Sequence, residues 1–185
     1  MHVTATPNPS SEIITLKSFG YDLNTAIGDI IDNSIAANSS NVKIYFYVDE
    51  NAPRFAILDD GCGMSKTELI KNMSIGCKSP TEQRNGEDLG RFGSGLKTAS
   101  FSQADRLIVL SKSEGKELSG CVWDLNKIIE SDEWLLEILD KSEIDELKES
   151  IFLKNADSGT AVIWENIRGF PSEEIEYTQH LVANK

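Results

Sequence analysis

The 185-residue chain predicts a single α+β domain, a two-layer sandwich in which a mixed β-sheet carries helices on one face. Three observations lead to that class. Short runs rich in branched and aromatic residues, such as NVKIYFYV over 41–48 and RFAIL over 54–58, have the composition and length of strands. Segments with helical spacing lie between them, but strands and helices alternate too irregularly for a parallel βαβ sheet. A hydrophobic share of 39% with 26% charged residues suits one soluble core that needs no staples.

The elements follow in order. Residues 22–38 predict a helix with Asp22 as N-cap and an apolar stripe of Leu23, Ala26, Ile27, Ile30 and Ile31. The two strands come next, and DDGCGMS (59–65) turns tightly into a helix that starts near Ser65. Residues 76–90 form a polar stretch with Pro80 and internal glycines, too long for an ordinary connector, so a lid over 76–95 is expected. A helix over 94–103 and strands near 106–111 and 118–125 follow. Residues 126–152 predict an acidic helical insert: 130–149 hold nine acids against two lysines, either a solvated face or an acidic docking surface. A final strand starts at Thr160, and there is no internal repeat or low-complexity linker.

Charge and cysteine usage exclude several function classes. A net charge of −12 argues against a nucleic-acid surface on this chain alone. Cys62, Cys77 and Cys121 are odd in number and form no CxxC pair, and His2 and His180 are the only histidines, so no zinc pattern arises. Free thiols fit a reducing cytoplasm, and neither a signal peptide nor an apolar run of membrane length is seen. A cytoplasmic protein with no membrane partner is expected.

Three short motifs carry chemistry. GRFGSGLKTAS (90–100) is glycine-rich and leads into a helix, which gathers free backbone N–H groups at the positive end of a helix dipole. It is not a P-loop, because Leu96 separates Gly95 from Lys97 where that loop needs the Lys directly after its last Gly. On the helix of residues 22–38, Asp29, Asp32, Asn33 and Ala36 share one face. That face is either ordinary solvated surface or an oxygen-rich site suited to Mg²⁺, with Asn33 as the protein ligand. At the end of the 54–58 strand, Asp59 is followed by Gly61 and Gly63, a plain turn or a carboxylate able to accept the amino group of adenine.

Read together, in this order and spacing, the motifs resemble those of the GHKL ATPases: gyrase B, the ninety-kilodalton heat-shock chaperone, sensor histidine kinases and MutL. Asp29-Ile-Ile-Asp32-Asn33 is similar to the family's Glu-x-x-Asp-Asn helix motif, Asp59-x-Gly61-x-Gly63 to its Asp-x-Gly-x-Gly, and Gly90-x-x-Gly93-x-Gly95 to its glycine-rich loop. Gly159-Thr160 stands where the family contacts adenine through water. IGCKSP with GRFGSGLKTAS looks most like the MORC proteins and their bacterial relatives.

The resemblance implies a Bergerat ATP-binding fold, with ATP and Mg²⁺ as ligands. It implies that Asn33 holds Mg²⁺ and that Asp59, Gly61, Gly63, Met64 and Thr160 surround adenine. Gly90, Arg91, Phe92, Gly93, Ser94, Gly95, Leu96 and Lys97 then face the phosphates, and Asp29 is the catalytic base. Two departures stand out: Ala36 replaces an acid of gyrase B, and Asp29 replaces the family's Glu. A misplacement of about 1 Å can cost on the order of 100-fold in rate, so slow hydrolysis driving a conformational switch is expected. A non-hydrolysing nucleotide switch and a protein kinase are the other readings. The family also implies an ATP-dependent homodimer, or a second domain or partner chain that completes the site. The isolated chain is expected to be largely monomeric.

Overall fold

The computed structural model describes residues 7–18, 21–47, 53–75 and 95–168. The first helix, α1 (Pro9–Ser18), was not expected from the sequence, although its start signal is there. Asn8 Oδ1 accepts the Ser11 N–H at 2.9 Å, and Pro9 occupies the first helical position, where a missing N–H costs nothing. Helix α2 (Leu23–Ala36) is capped as expected, Asp22 accepting the Thr25 N–H. Its buried stripe is Ala26, Ile30 and Ser34, with Leu23, Ile27 and Ile31 packed at its margins.

Strands β1 (Val42–Tyr47) and β2 (Arg54–Asp59) form a hairpin. Helix α3 (Lys66–Met73) starts at a capping box of Ser65 and Glu68. Helix α4 (Gly95–Gln103) runs directly into β3 (Ala104–Lys112), which pairs with β4 (Ser119–Asp124). Then come α5 (Leu125–Ser131), β5 (Leu136–Ile138), α6 (Lys141–Glu146), α7 (Lys148–Asn155) and β6 (Gly159–Ile167).

Among the described residues, six strands lie in the order β1-β2-β6-β3-β4-β5. The α+β sandwich is as expected, but the pairing is not mixed: all five pairings are antiparallel. The cause is β6, which inserts between β2 and β3 and runs antiparallel to both. Side chains alternate across the sheet. Phe55, Ile57, Leu107, Val109, Cys121, Trp123, Val162 and Trp164 face α1–α5 in the main core. Trp123 and Trp164 place their indole N–H groups on the Met73 carbonyl and the Ser100 hydroxyl, so neither buries an unmet donor.

The expectation of helices on one face is also corrected. Ala56, Leu58, Ile108, Leu110, Val122, Ala161 and Ile163 form a second core on the reverse face, beneath Ile144 of α6 and Leu153 of α7. The acidic insert is therefore neither helical throughout nor one solvated face. It contains β5 at the sheet edge, and it buries Glu149, whose Oε2 lies 2.8 Å from Arg54 Nη2. Among the described residues, no helix is long and apolar enough to cross a membrane.

Candidate functional site

The two adjacent acids at the end of β2 have different employment. Asp60 staples the turn behind α2: its Oδ1 accepts the N–H groups of Ser40 and Asn41, and its Oδ2 accepts Asn41 Nδ2. The Asn41 side chain foremost holds its carboxyl below the usual carboxylate range. Asp59 points inward and is 5% exposed. Its Oδ2 accepts the Ser34 hydroxyl at 3.0 Å, and its Oδ1 accepts the Gly61 N–H at 3.0 Å. Burial pushes the Asp59 carboxyl up, against the opposing pull of those two donors. Neither partner is a cation, so Asp59 is a buried carboxylate oriented by neutral donors.

The glycines are there for close approach. A Cβ on Gly61 would stand 2.8 Å from Ala37 Cβ and 3.0 Å from Asp59 Oδ1. Gly63 has φ +61°, and a Cβ there would stand 1.9 Å from the Lys112 carbonyl oxygen. Both sites exclude a side chain. Bonds on each side pin the loop: Cys62 N–H donates to the Ala37 carbonyl at 2.9 Å, and the Ser158 hydroxyl to the Gly61 carbonyl at 2.7 Å.

Thr160 is the register partner of Asp59 across β6 and β2. Its hydroxyl lies 2.9 Å from that of Ser111, which also accepts the Met64 N–H at 2.9 Å. Asp59, Gly61, Gly63, Met64 and Thr160 thus belong to one hydrogen-bonded end of the sheet. Ser34 and Ser111, which the sequence reading missed, tie it together. Ser34 had a signal: it continues the buried Ala26–Ile30 stripe, where a hydroxyl needs a partner. Ser111, at the end of a strand, had none.

On α2, Asn33, Asp32 and Ala36 are exposed and Asp29 is half-buried, so the expected polar face does turn away from the core. Asp29 Oδ2 accepts the Tyr21 hydroxyl at 2.7 Å. At the start of α4, Gly95 is exposed and Leu96 packs against the main core. Lys97 is only 4% exposed, and its ammonium donates to the Asn72 carbonyl of α3 at 2.6 Å, so it is not a surface lysine. Gly90, Arg91, Phe92, Gly93 and Ser94, with the expected lid up to residue 94, lie outside the described residues.

These residues suit a nucleotide. The buried carboxylate is an acceptor for an amino group, and Gly61 and Gly63 let the loop beside it pack closely against Ala37 and Lys112. Asn33 offers an exposed oxygen of the kind Mg²⁺ takes alongside phosphates and water.

Comparison with known proteins agrees. Residues 21–160 match the family model described as histidine kinase-, DNA gyrase B- and HSP90-like ATPase. Chaperone protein HtpG of Rickettsia canadensis is 31% identical over 96 residues, covering 46% of this chain and 15% of that protein. HtpG of Coxiella burnetii is 32% identical over 104 residues, covering 50% of this chain and 16% of that protein. ATPase morc-1 of Caenorhabditis elegans is 28% identical over 91 residues, covering 49% of this chain and 10% of that protein. The alignments therefore take in only a small part of each of these relatives. With three motifs in sequence, the sandwich that gathers Asp59 and Thr160, and a match across most of its length, the chain belongs to the histidine kinase-, gyrase B- and HSP90-like (GHKL) ATPase family.

Proposed function

We propose that this domain binds Mg²⁺-ATP and hydrolyses it slowly, using the cycle as a conformational switch. The observation that carries the reading is Asp59: a buried carboxylate, aligned by Ser34 and the Gly61 N–H, beside two glycines that exclude side chains. Asp59 accepts the adenine amino group, and Thr160 supports the same edge with its hydroxyl. Asn33 holds the cation. Residues 92–96 supply backbone N–H groups to the phosphates, with Gly95 and Leu96 at the first turn of α4, where the helix dipole favours negative charge. Asp29 takes the proton of the attacking water. Bound Mg²⁺-ATP contributes the phosphoanhydride to be cleaved and the charge that neutralises it.

Calorimetric titration with Mg²⁺-ATP, alongside phosphate release, tests this. Saturable binding with slow release supports the whole reading. Binding without release leaves a nucleotide-binding switch, and the absence of binding overturns the assignment.

A further inference from the structure

The structure assigns to Tyr21 the positioning of Asp29, an inference that rests on the hydrolytic reading above. Tyr21 lies just ahead of α2, and its ring packs against the main core. Its hydroxyl donates to Asp29 Oδ2 at 2.7 Å, and no other described residue hydrogen-bonds that carboxylate. Its backbone is held as well: the Gln103 side-chain amide, 7% exposed at the far end of α4, donates to the Tyr21 carbonyl at 2.7 Å. A stiff aromatic fixed at both ends therefore orients a short acid.

The arrangement suits Asp rather than Glu. Asp has one rotatable bond fewer, so once Oδ2 is engaged the direction of Oδ1 is set. Oδ1 takes no hydrogen bond from the described residues and is the oxygen left to accept a proton from water. The step balances: water would yield H⁺ to Oδ1 as its oxygen bonds to the γ-phosphorus and the bond from that phosphorus to the bridging oxygen breaks, ADP leaving with the electron pair, while Tyr21 keeps its own proton and stabilises the carboxylate through Oδ2. The same contact appears from the other side, since the Asp29 hydrogen bond foremost raises the Tyr21 hydroxyl above its ordinary value. Tyr21 touches no reacting atom and is a positioning residue.

The test compares the parent, Tyr21→Phe, Asp29→Asn and the double variant by phosphate release and by calorimetric ATP affinity. Tyr21→Phe keeps the packed ring and loses only the donor. Its turnover should fall about 10- to 100-fold, the scale of a misplaced catalytic group, with ATP affinity unchanged. In the Asp29→Asn background it should have no further effect. Parent-like turnover in a folded Tyr21→Phe protein overturns the assignment, as does a turnover loss that persists undiminished in the Asp29→Asn background. If Tyr21→Phe fails to fold, a fluorinated tyrosine at position 21 retains the hydroxyl but ionises at lower pH. Turnover should then fall towards alkaline pH where the parent's does not, and a parent-like pH profile refutes the role. If Asp29→Asn itself hydrolyses like the parent, the hydrolytic reading fails and the inference with it. Parent-like turnover in Tyr21→Phe beside an impaired Asp29→Asn overturns the Tyr21 assignment alone and leaves that reading intact.

Discussion

Replacing Asp59 with Asn separates binding from folding. The carboxylate has two occupied oxygens, Oδ1 on the Gly61 N–H and Oδ2 on the Ser34 hydroxyl. Asn fits the same space, but its oxygen must face the fixed Gly61 donor, which places its NH₂ on the side of Ser34, whose hydroxyl can turn to accept. The folded state therefore loses little. Burial also holds the Asp59 carboxyl above its ordinary range. Between the ordinary and the raised value the native state binds more protons than the unfolded chain, so stability is lost as pH rises through that window. Asn removes this loss, and the thermal midpoint of the ligand-free variant at neutral pH should equal or exceed that of the parent. Adenine binding should suffer instead, because a donor now stands where an amino group needs an acceptor. An unmet buried polar group costs about 1–3 kcal/mol, about 5- to 150-fold in Kd. Calorimetry with Mg²⁺-ATP and a melting curve on the same sample read both quantities. Parent-like affinity would refute the role of Asp59, and a collapsed melting curve would refute the claim that its role is not structural.

Asp29→Asn should keep ATP affinity and cut phosphate release to a small residual rate; unchanged release from Asp29→Asn excludes it as the base. Gly63→Ala should destabilise by more than the ~1–2 kcal/mol of a left-handed residue, because its Cβ would also meet the Lys112 carbonyl at 1.9 Å, and urea titration checks this. Glu149→Ala strands Arg54 in part and should cost about 3 kcal/mol, the low end for a broken buried pair, since Glu165 still reaches Arg54. The Tyr47 hydroxyl is pushed up to about 12 by burial first and the Glu149 charge second. Glu149→Gln should therefore lower the alkaline titration midpoint of Tyr47, measured by ultraviolet absorbance.

What could be seen in the sequence was what depends on neighbours in the chain. Asp22 as a cap, the α2 stripe and the apolar runs of β2, β3 and β6 are local signals, and each element formed within a few residues of its expected place. Asp59, Gly61 and Gly63 stood out because their spacing is itself the turn. Pairing direction and the second core did not, because both depend on β6 entering between distant strands and on Ile144 and Leu153 finding a sheet face. Lys97 shows the same limit: its helical position fits an exposed cation, and only the packing of α4 beside α3 turns it onto the Asn72 carbonyl. Tyr21 lies eight residues from Asp29 and outside the helix that carries it, a contact that no periodicity announces.

The place of β6 sets when this site can exist during synthesis. Asp59 and Gly61 leave the ribosome early, but Thr160 belongs to the last described strand, which closes the gap between β2 and β3. Until it arrives the sheet is in two separate parts, β1-β2 and β3-β4-β5, with open inner edges, and Asp59 lacks the wall that buries it. Such long-range pairing is slow to form. Nucleotide would then find no pocket on a nascent chain that stops short of Gly159, and ATP would favour folding only after β6 is in place.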